Sequence, residues 1–432
     1  MLVESWLYRA AAARPEHPAL VTAHRTLTYA QLLETAAGVD LPAGPGDHVA
    51  LALPPGEGFA VALHACLLRG AVAVPIDPRL GEAQGAVREG RCEVVVREAL
   101  PAARARATAP AAPSHDLAAP ALLVHTSGST GAGTPVALTY ANWLWSALGS
   151  SVALGHPRDE RWLCALPLSH VGGLSVLLRA AIGATTVILH ERFETDAVLE
   201  ELASPDGPTA VSLVPTTLQR LLDAGLERPP ALRTALLGGA PAPPALLDRA
   251  RDAGVSVVTT YGLTEACSQV ATGGAPLFCT RVRIAEDGEI LVHGPTVALG
   301  ATDPDGWLRT GDLGELAPDG TLRVTGRAAD TIVTGGENVA PTEVEAVLER
   351  HPAVAQAAVH ARPDPEWGEA VVATVVLRAP ATEAQLIAHC AAHLAPHQAP
   401  KRVAFSAELP RTPSGKLRRD ELGSAGPLRP PI

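Results

Sequence analysis

The chain has 432 residues, and 34 lysines plus arginines against 45 aspartates plus glutamates give a formal charge of 34 − 45 = −11 at pH 7. Its 47% apolar and 18% charged content is that of a globular protein. With 3% aromatics and no basic stripe it is a poor nucleic-acid binder, and no apolar run reaches the roughly 18–20 residues of a membrane span, the longest (174–189) being broken by Arg179.

Other counts narrow the setting. Glu4, Arg9 and Arg14 interrupt the N-terminus, which does not read as a signal peptide. The 6 cysteines show no metal-binding spacing, and Cys164 and Cys267, in apolar stretches, read as reduced buried thiols, which fits a cytoplasmic protein. Only Lys401 and Lys416 are lysine, and the other cations are arginine. That bias fits base composition, and it makes any lysine retained against it a candidate for a specific role.

In chain order, residues 2–40 predict an amphipathic helix, a short hairpin and a second helix. From 49 onward strand-like runs alternate with helical ones. Strands are predicted at 49–53, 72–75, 121–125, 162–166, 186–190, 210–214, 234–237 and 255–260. Helices are predicted at 58–69, 140–148, 174–181, 197–202, 216–224 and 242–253. The alternation predicts a parallel sheet covered by helices. Residues 101–118, rich in Ala, Pro and Arg, read as a surface linker. After about residue 275, Asp287-Gly288 and Asp319-Gly320 separate strand-like runs and predict antiparallel hairpins. Beyond Gly326 a small α+β unit is predicted, with helices at 341–350 and 383–393 and strands at 354–360, 370–377 and 402–406. The tail after Gly423 reads as disordered.

One loop carries chemistry by its composition. Thr126-Ser127-Gly128-Ser129-Thr130-Gly131 follows a predicted strand and precedes a helix. Hydroxyls and flexible backbone there can aim donors at phosphate oxygens, although such runs are as often solvated turns. No Gly-Lys-[Ser/Thr] is present, so it is not a Walker loop.

The loop resembles the signature of the acyl-adenylate-forming superfamily, which includes acyl- and aryl-CoA ligases. Further segments match in order: 166–174 (Leu-Pro-Leu-Ser-His-Val-Gly-Gly-Leu), 237–241 (Leu-Gly-Gly-Ala-Pro), 261–265 (Tyr-Gly-Leu-Thr-Glu), Thr310-Gly311-Asp312, Gly326-Arg327, 335–339 (Gly-Gly-Glu-Asn-Val) and 413–416 (Pro-Ser-Gly-Lys). Eight ordered motifs are far more specific than any one. The resemblance implies an α/β fold. A large N-terminal domain of helix-covered β-sheets with a β-barrel-like part (1–326) precedes a small mobile α+β domain (327–432).

It also implies ATP, Mg²⁺ and CoA as reactants and a small carboxylic acid as substrate, with no nucleic acid or membrane partner; a homodimer is left open. By resemblance Lys416 bridges the attacking carboxylate and the α-phosphate. Glu265 holds Mg²⁺ and Thr264 touches the phosphates. His170 lines the acyl pocket. Thr126 to Gly131, Gly239, Ala240, Pro241, Tyr261, Gly262, Asp312 and Arg327 hold the nucleotide, Tyr261 by packing on adenine and Asp312 and Arg327 at the ribose. Gly335 and Gly336 let CoA pass once the small domain turns about the segment near Ala329-Asp330. Pocket segments around Ser212, Ser169 and Thr264 are similar to o-succinylbenzoate–CoA ligases of menaquinone biosynthesis. A dicarboxylate needs a second polar clamp, for which Arg220, Ser268 and Gln269 are the candidates, Arg220 being equally readable as a solvent-facing helix residue.

The alternatives are a ligase for another acid, a stand-alone adenylation enzyme loading a carrier protein, and a nucleotide-binding relic. The last is motivated by a departure: Gly133-Thr134-Pro135-Val136 lacks the lysine the family usually has beside this proline.

Overall fold

The computed structural model describes residues 1–80, 82–102, 114–126, 133–411 and 417–422. By their contacts these form two compact units. The first comprises residues 1–239, 248–282 and 292–308; the second comprises 240–247, 283–291 and the chain from 309. This division concerns static contacts, a different quantity from the mobile boundary expected at 326/327.

The first unit contains two main sheets. In the five-stranded one the order is Val94–Val96, His48–Leu51, Val72–Pro75, Pro120–His125 and Pro135–Thr139. The first four run parallel and the last is antiparallel. In the nine-stranded one a parallel core of Val257–Tyr261, Thr234–Leu237, Ala210–Leu213, Arg161–Cys164, Thr186–Leu189 and Pro18–Val21 is flanked by short antiparallel edges. Strands buried on both faces are mostly apolar, and Val72–Pro75, Ala210–Leu213 and Thr234–Leu237 are buried at every position, the hydroxyls of Ser212 and Thr234 accepting from Trp162 Nε1 (2.8 Å) and Arg233 Nη1 (3.2 Å). The alternation builds two sheets, as the helix-covered β-sheets implied by the resemblance require.

Local chemistry sets several helix starts. Thr28 and Thr139 cap the helices Tyr29–Gly38 and Tyr140–Leu154 in reciprocal capping boxes with Gln31 and Asn142. Asn142 also donates to the carbonyls of Pro295 (2.8 Å) and Val297 (2.9 Å), tying that helix start to a distant segment.

Two segments differ from expectation. Residues 114–116, read as linker, form a strand antiparallel to Leu2–Glu4. Its His115 is buried and stacks on Tyr140 at 4.1 Å, so an apolar contact far away in sequence decides the local structure. Pro135-Val136, on the loop side of the Gly133-Thr134-Pro135-Val136 departure, begin a strand, Pro135–Thr139. Residues 103–113 and the tail after 422 lie outside the described residues.

A four-stranded sheet ordered Arg281–Ile284, Glu289–His293, Leu308–Leu316, Leu322–Arg327 has most of its residues in the second unit. A short 3₁₀ turn, Ala328–Asp330, leads to a five-stranded sheet of Glu337–Val339, Ile332–Thr334, Gly368–Leu377, Val354–Asp364 and Arg402–Phe405. Val344, Val347 and Leu348 of helix Pro341–Glu349 and Leu386 and Cys390 of helix Glu383–Ala391 pack with Val359, Val371 and Val375 into its core. Among the described residues no helix is long and apolar enough to cross a membrane.

Candidate functional site

Parallel sheets present their carboxyl ends as ligand crevices. In the first unit the sequence motifs fall there. Gly238-Gly239 follow the strand Thr234–Leu237, Tyr261 ends its neighbour Val257–Tyr261, and 165–170 follow Arg161–Cys164. A Cβ on Gly238 would stand 2.8 Å from Thr260 Cγ2, so only glycine lets these two strand ends approach. Gly239 has φ +82°, a conformation that favours glycine. Ala240 and Pro241 follow it, half-buried and exposed.

The turn after Tyr261 is tight. A Cβ on Gly262 would lie 1.5 Å from the Ser268 carbonyl oxygen, so no other residue fits. Thr264–Ala266 make one 3₁₀ turn, and Cys267 (φ +52°) and Ser268 (φ +87°) are both left-handed. Non-glycine residues held there store about 1–3 kcal/mol each, and such strain clusters at functional sites. Hydrogen bonds hold it: Cys267 N to the Thr264 carbonyl (3.0 Å), Val270 N to the Tyr261 carbonyl (2.8 Å), and the Ser146 hydroxyl to the Cys267 carbonyl (2.7 Å). Thr264 and Glu265 stand half-buried on this turn. Among the described residues no three His, Cys, Asp or Glu converge as a metal cage. A single carboxylate beside a hydroxyl is an oxygen donor set that suits Mg²⁺, an ion bound by one or two carboxylates with phosphate oxygens and water.

His170 is half-buried at the start of helix Val171–Gly183. A Cβ on Gly173 would meet the Pro167 carbonyl oxygen at 2.5 Å, which explains the second glycine of the pair after it. Burial acts to raise the Asp77 carboxyl, but hydrogen bonds from Arg79 outweigh it, with help from His170, and keep its pKa below the ordinary value.

The acid side differs from expectation. Arg220 is exposed in the last turn of helix Pro215–Asp223, whose buried residues are Leu218 and Leu221. Ser268 is half-buried and Gln269 is 2% exposed. A guanidinium does point at Gln269, but it belongs to Arg179. This side chain is 5% exposed, stacks over Trp162 at 4.4 Å, and reaches Gln269 Oε1 at 3.5 Å. Its Nε and Nη1 have no hydrogen-bond partner among the described residues. Burial pulls its pKa down to about 10, so it stays charged at neutral pH. Glu160, the carboxylate that partly offsets this, is itself paired with Arg233 at 2.5 Å. The sequence signal was the one that broke the apolar run: a lone charge in the otherwise apolar 171–189.

The glycine-hydroxyl loop begins at Thr126, at the end of Pro120–His125. Its ends are tied by Thr126 N to the Thr134 carbonyl (3.0 Å) and Thr134 N to the Thr126 hydroxyl (3.2 Å). Ser127, Gly128, Ser129, Thr130 and Gly131 lie outside the described residues, as does Lys416.

In the second unit Asp312 and Arg327 are cross-strand neighbours, Arg327 Nε donating to Asp312 Oδ1 at 2.9 Å. Asp312 is 6% exposed, while the Arg327 side chain is half in solvent. The Thr310 hydroxyl accepts from Asp312 N (3.1 Å), and Glu289 accepts from Gly311 N (2.7 Å), so the carboxylate sits on a fixed turn. Gly335 and Gly336 are exposed and left-handed. A Cβ on Gly335 would meet the Trp367 ring at 2.8 Å, and Lys401 Nζ stands 4.6 Å from that ring's centroid. Around Lys416 the flanking residues Arg411 and Leu417 pair as a β-bridge, and Arg418 N donates to the Pro410 carbonyl at 2.9 Å.

Comparisons with known proteins bear on the whole chain. Residues 7–116 and 87–301 match the AMP-binding enzyme family, and 343–416 match the AMP-binding enzyme C-terminal domain. The chain is 35% identical to the 2-succinylbenzoate–CoA ligase of Bacillus subtilis, covering 98% of this chain and 99% of that one. It is 36% identical to the ligase of that name from Bacillus licheniformis, over 97% and 99%. Among solved structures, o-succinylbenzoate CoA synthetase (MenE) from Bacillus subtilis in complex with the acyl-adenylate intermediate OSB-AMP superposes with TM-score 0.88 at 33% identity, covering 98% of this chain and 99% of that one. The same enzyme with ATP and a magnesium ion gives TM-score 0.88 at 33% identity, over 98% and 100%.

Proposed function

The chain belongs to the AMP-binding enzyme family, and we propose that it is an ATP-dependent o-succinylbenzoate–CoA ligase of the menaquinone pathway. The acid's carboxylate oxygen attacks the α-phosphorus of ATP and pyrophosphate leaves. The CoA thiolate then attacks the acyl carbon of the adenylate, giving the thioester and AMP. One observation carries the choice of acid beyond the full-length similarity: the buried Arg179, two of whose nitrogens have no hydrogen-bond partner among the described residues. A buried guanidinium without an anion is costly, and the second carboxylate of a dicarboxylic acid supplies one. Gln269, already within reach of Arg179, donates or accepts beside it.

The remaining residues take the following parts. The strained turn aims Glu265 and Thr264 at the phosphates, and Mg²⁺ bound there withdraws charge from the α-phosphoryl group. Asp312 accepts from the ribose hydroxyls and Arg327 orients it. Tyr261 packs on adenine, beside the Gly239-Ala240-Pro241 turn. His170 lines the acyl pocket. Lys416 holds the two anions together during attack, and a turn of residues 327–432 about Ala329-Asp330 then brings Gly335 and Gly336 to the CoA arm.

A cytoplasmic setting is supported by the six free cysteines, of which burial pushes Cys66 and Cys164 up to about 12 and leaves them unreactive. Light scattering on the purified protein decides between monomer and homodimer.

The test is an acid panel with ATP, Mg²⁺ and CoA, measuring AMP and thioester. The proposal expects o-succinylbenzoate to be used in preference to benzoate, fatty acids and malonate. Preference for any of these overturns the choice of acid. AMP and adenylate without CoA thioester points to a carrier protein as acceptor.

A further inference from the structure

Strained residues persist only where neighbouring structure holds them. Cys267 and Ser268 are such residues, and they follow Glu265 in the turn after Tyr261. The turn's internal bonds, Cys267 N to the Thr264 carbonyl and Ser268 N to the Leu263 carbonyl (3.2 Å), leave the carbonyls of Glu265 and Cys267 to be held from elsewhere. Both are held by way of one helix, Tyr140–Leu154, which lies in the first unit with the turn.

Asn142 and Ser146 stand one turn apart on the buried face of that helix. The Ser146 hydroxyl donates to the Cys267 carbonyl at 2.7 Å. Asn142 acts at one remove. Its Oδ1 accepts from Thr139 N at 2.8 Å, so its Nδ2 faces the other way and donates to the carbonyls of Pro295 and Val297. That fixes the segment entering Ala298, whose N–H donates to the Glu265 carbonyl at 2.7 Å. Beyond it, Leu299 N donates to the carbonyl of Ala137, on the strand that leads into the helix, at 3.2 Å. Any buried carbonyl needs a donor, and backbone or water can supply one. Here two side chains of one helix face converge on the backbone at Glu265 and two residues beyond it, with only the buried Ala266 between.

We propose that Ser146 and Asn142 are positioning residues for Glu265, holding its carboxylate where it meets Mg²⁺ on the phosphates of ATP. Neither touches a reactant. Mg²⁺ demands near-ideal octahedral geometry with oxygens at about 2.0–2.1 Å, so a ligand carboxylate that drifts loses metal affinity. Support of this kind from outside the ligand set is what keeps a metal ligand in place. The proposal rests on the reading of Glu265 as the Mg²⁺ ligand, though not on the choice of acid.

The probe is ATP with the full chain, titrated by calorimetry in Mg²⁺ and again in EDTA. The ratio of the two affinities isolates the metal's contribution, and no acid is needed. Glu265→Gln should lower that ratio about 10- to 100-fold, as for loss of a charged partner. Ser146→Ala and Asn142→Ala should each lower it about 3- to 10-fold, the loss of a neutral hydrogen bond, with the affinity in EDTA unchanged. In a Glu265→Gln background Ser146→Ala should lower it no further, because the carboxylate it acts through is gone. A loss equal in Mg²⁺ and in EDTA, or one that persists in the Glu265→Gln background, makes both residues structural and overturns the proposal. A ratio unchanged in Glu265→Gln alone removes the metal role of Glu265, and the proposal falls with it. If Asn142→Ala fails to fold, Ser146→Ala, which deletes one hydroxyl, decides.

Discussion

In the first unit Gly239, Tyr261 and Glu265 stand on or just after the ends of neighbouring parallel strands, and a turn admitting no side chain at Gly262 fixes their spacing. In the second unit the chain that carries Lys416 departs at Arg411 and rejoins at Leu417. What secures it is that bridge and an ion-pair clamp in which Arg419 meets Asp330 at 3.2 Å and Glu345 at 3.1 Å. The first arrangement holds side chains by strain and close packing. The second holds the flanks of a segment by one β-bridge and, on its C-terminal side, by charge. On the proposed function, the strand ends of the first unit hold adenine and the phosphates, while Lys416 serves the adenylation step alone.

The largest effect should separate the half-reactions. Lys416→Ala should slow adenylation about 10²- to 10³-fold, as for loss of a donor at developing charge, and spare thioester formation from supplied acyl-adenylate. Equal loss in both would make the lysine structural and remove the contrast.

A glycine pair tests the other half. In Gly262→Ala the new methyl must displace the Ser268 carbonyl, which should cost about 3 kcal/mol or more and abolish adenylation with it. In Gly336→Ala (φ +85°, with nothing within 4 Å) only backbone strain is added, about 1 kcal/mol, and the deficit should fall on the CoA step. Thermal melts and half-reaction rates check both.

The smallest effect concerns pH. Burial raises the Glu349 pKa from 4.5 to about 7, with Glu345 adding to the rise and the Ala357 N–H, Arg411 and Arg378 opposing it. A raised folded pKa means that the native state holds this proton more tightly than the unfolded chain does. Its stabilising contribution is full below about 4.5 and is lost as the pH rises through about 7. Glu349→Gln should therefore melt higher than wild type at pH 8 and about equally at pH 4.5. A larger gain at pH 4.5 would reverse the sign.

Legibility in the sequence follows physical locality. Buried parallel strands such as Thr234–Leu237 and hairpins at Asp-Gly turns announce themselves through a few adjacent residues, and so do the glycines of the 261–265 turn. Residues 114–116 do not, because their strand exists only by pairing with the N-terminus. Arg220 and Arg179 make the same point at the site. Both are arginines in helices, and only the packing of Trp162 and Gln269 distinguishes the buried one from the one in solvent.

On the proposed function, Arg179 is held, at a cost to stability, for the acid's second carboxylate. The direct measurement is kcat/KM for o-succinylbenzoate and for its analogue with the non-activated carboxylate replaced by carboxamide, in wild type and Arg179→Met. Wild type should prefer the diacid about 100-fold, and Arg179→Met should lose that preference while melting no lower than wild type, since an apolar side chain of similar length replaces an unpaired buried charge. A preference for the diacid that survives in Arg179→Met would contradict the account.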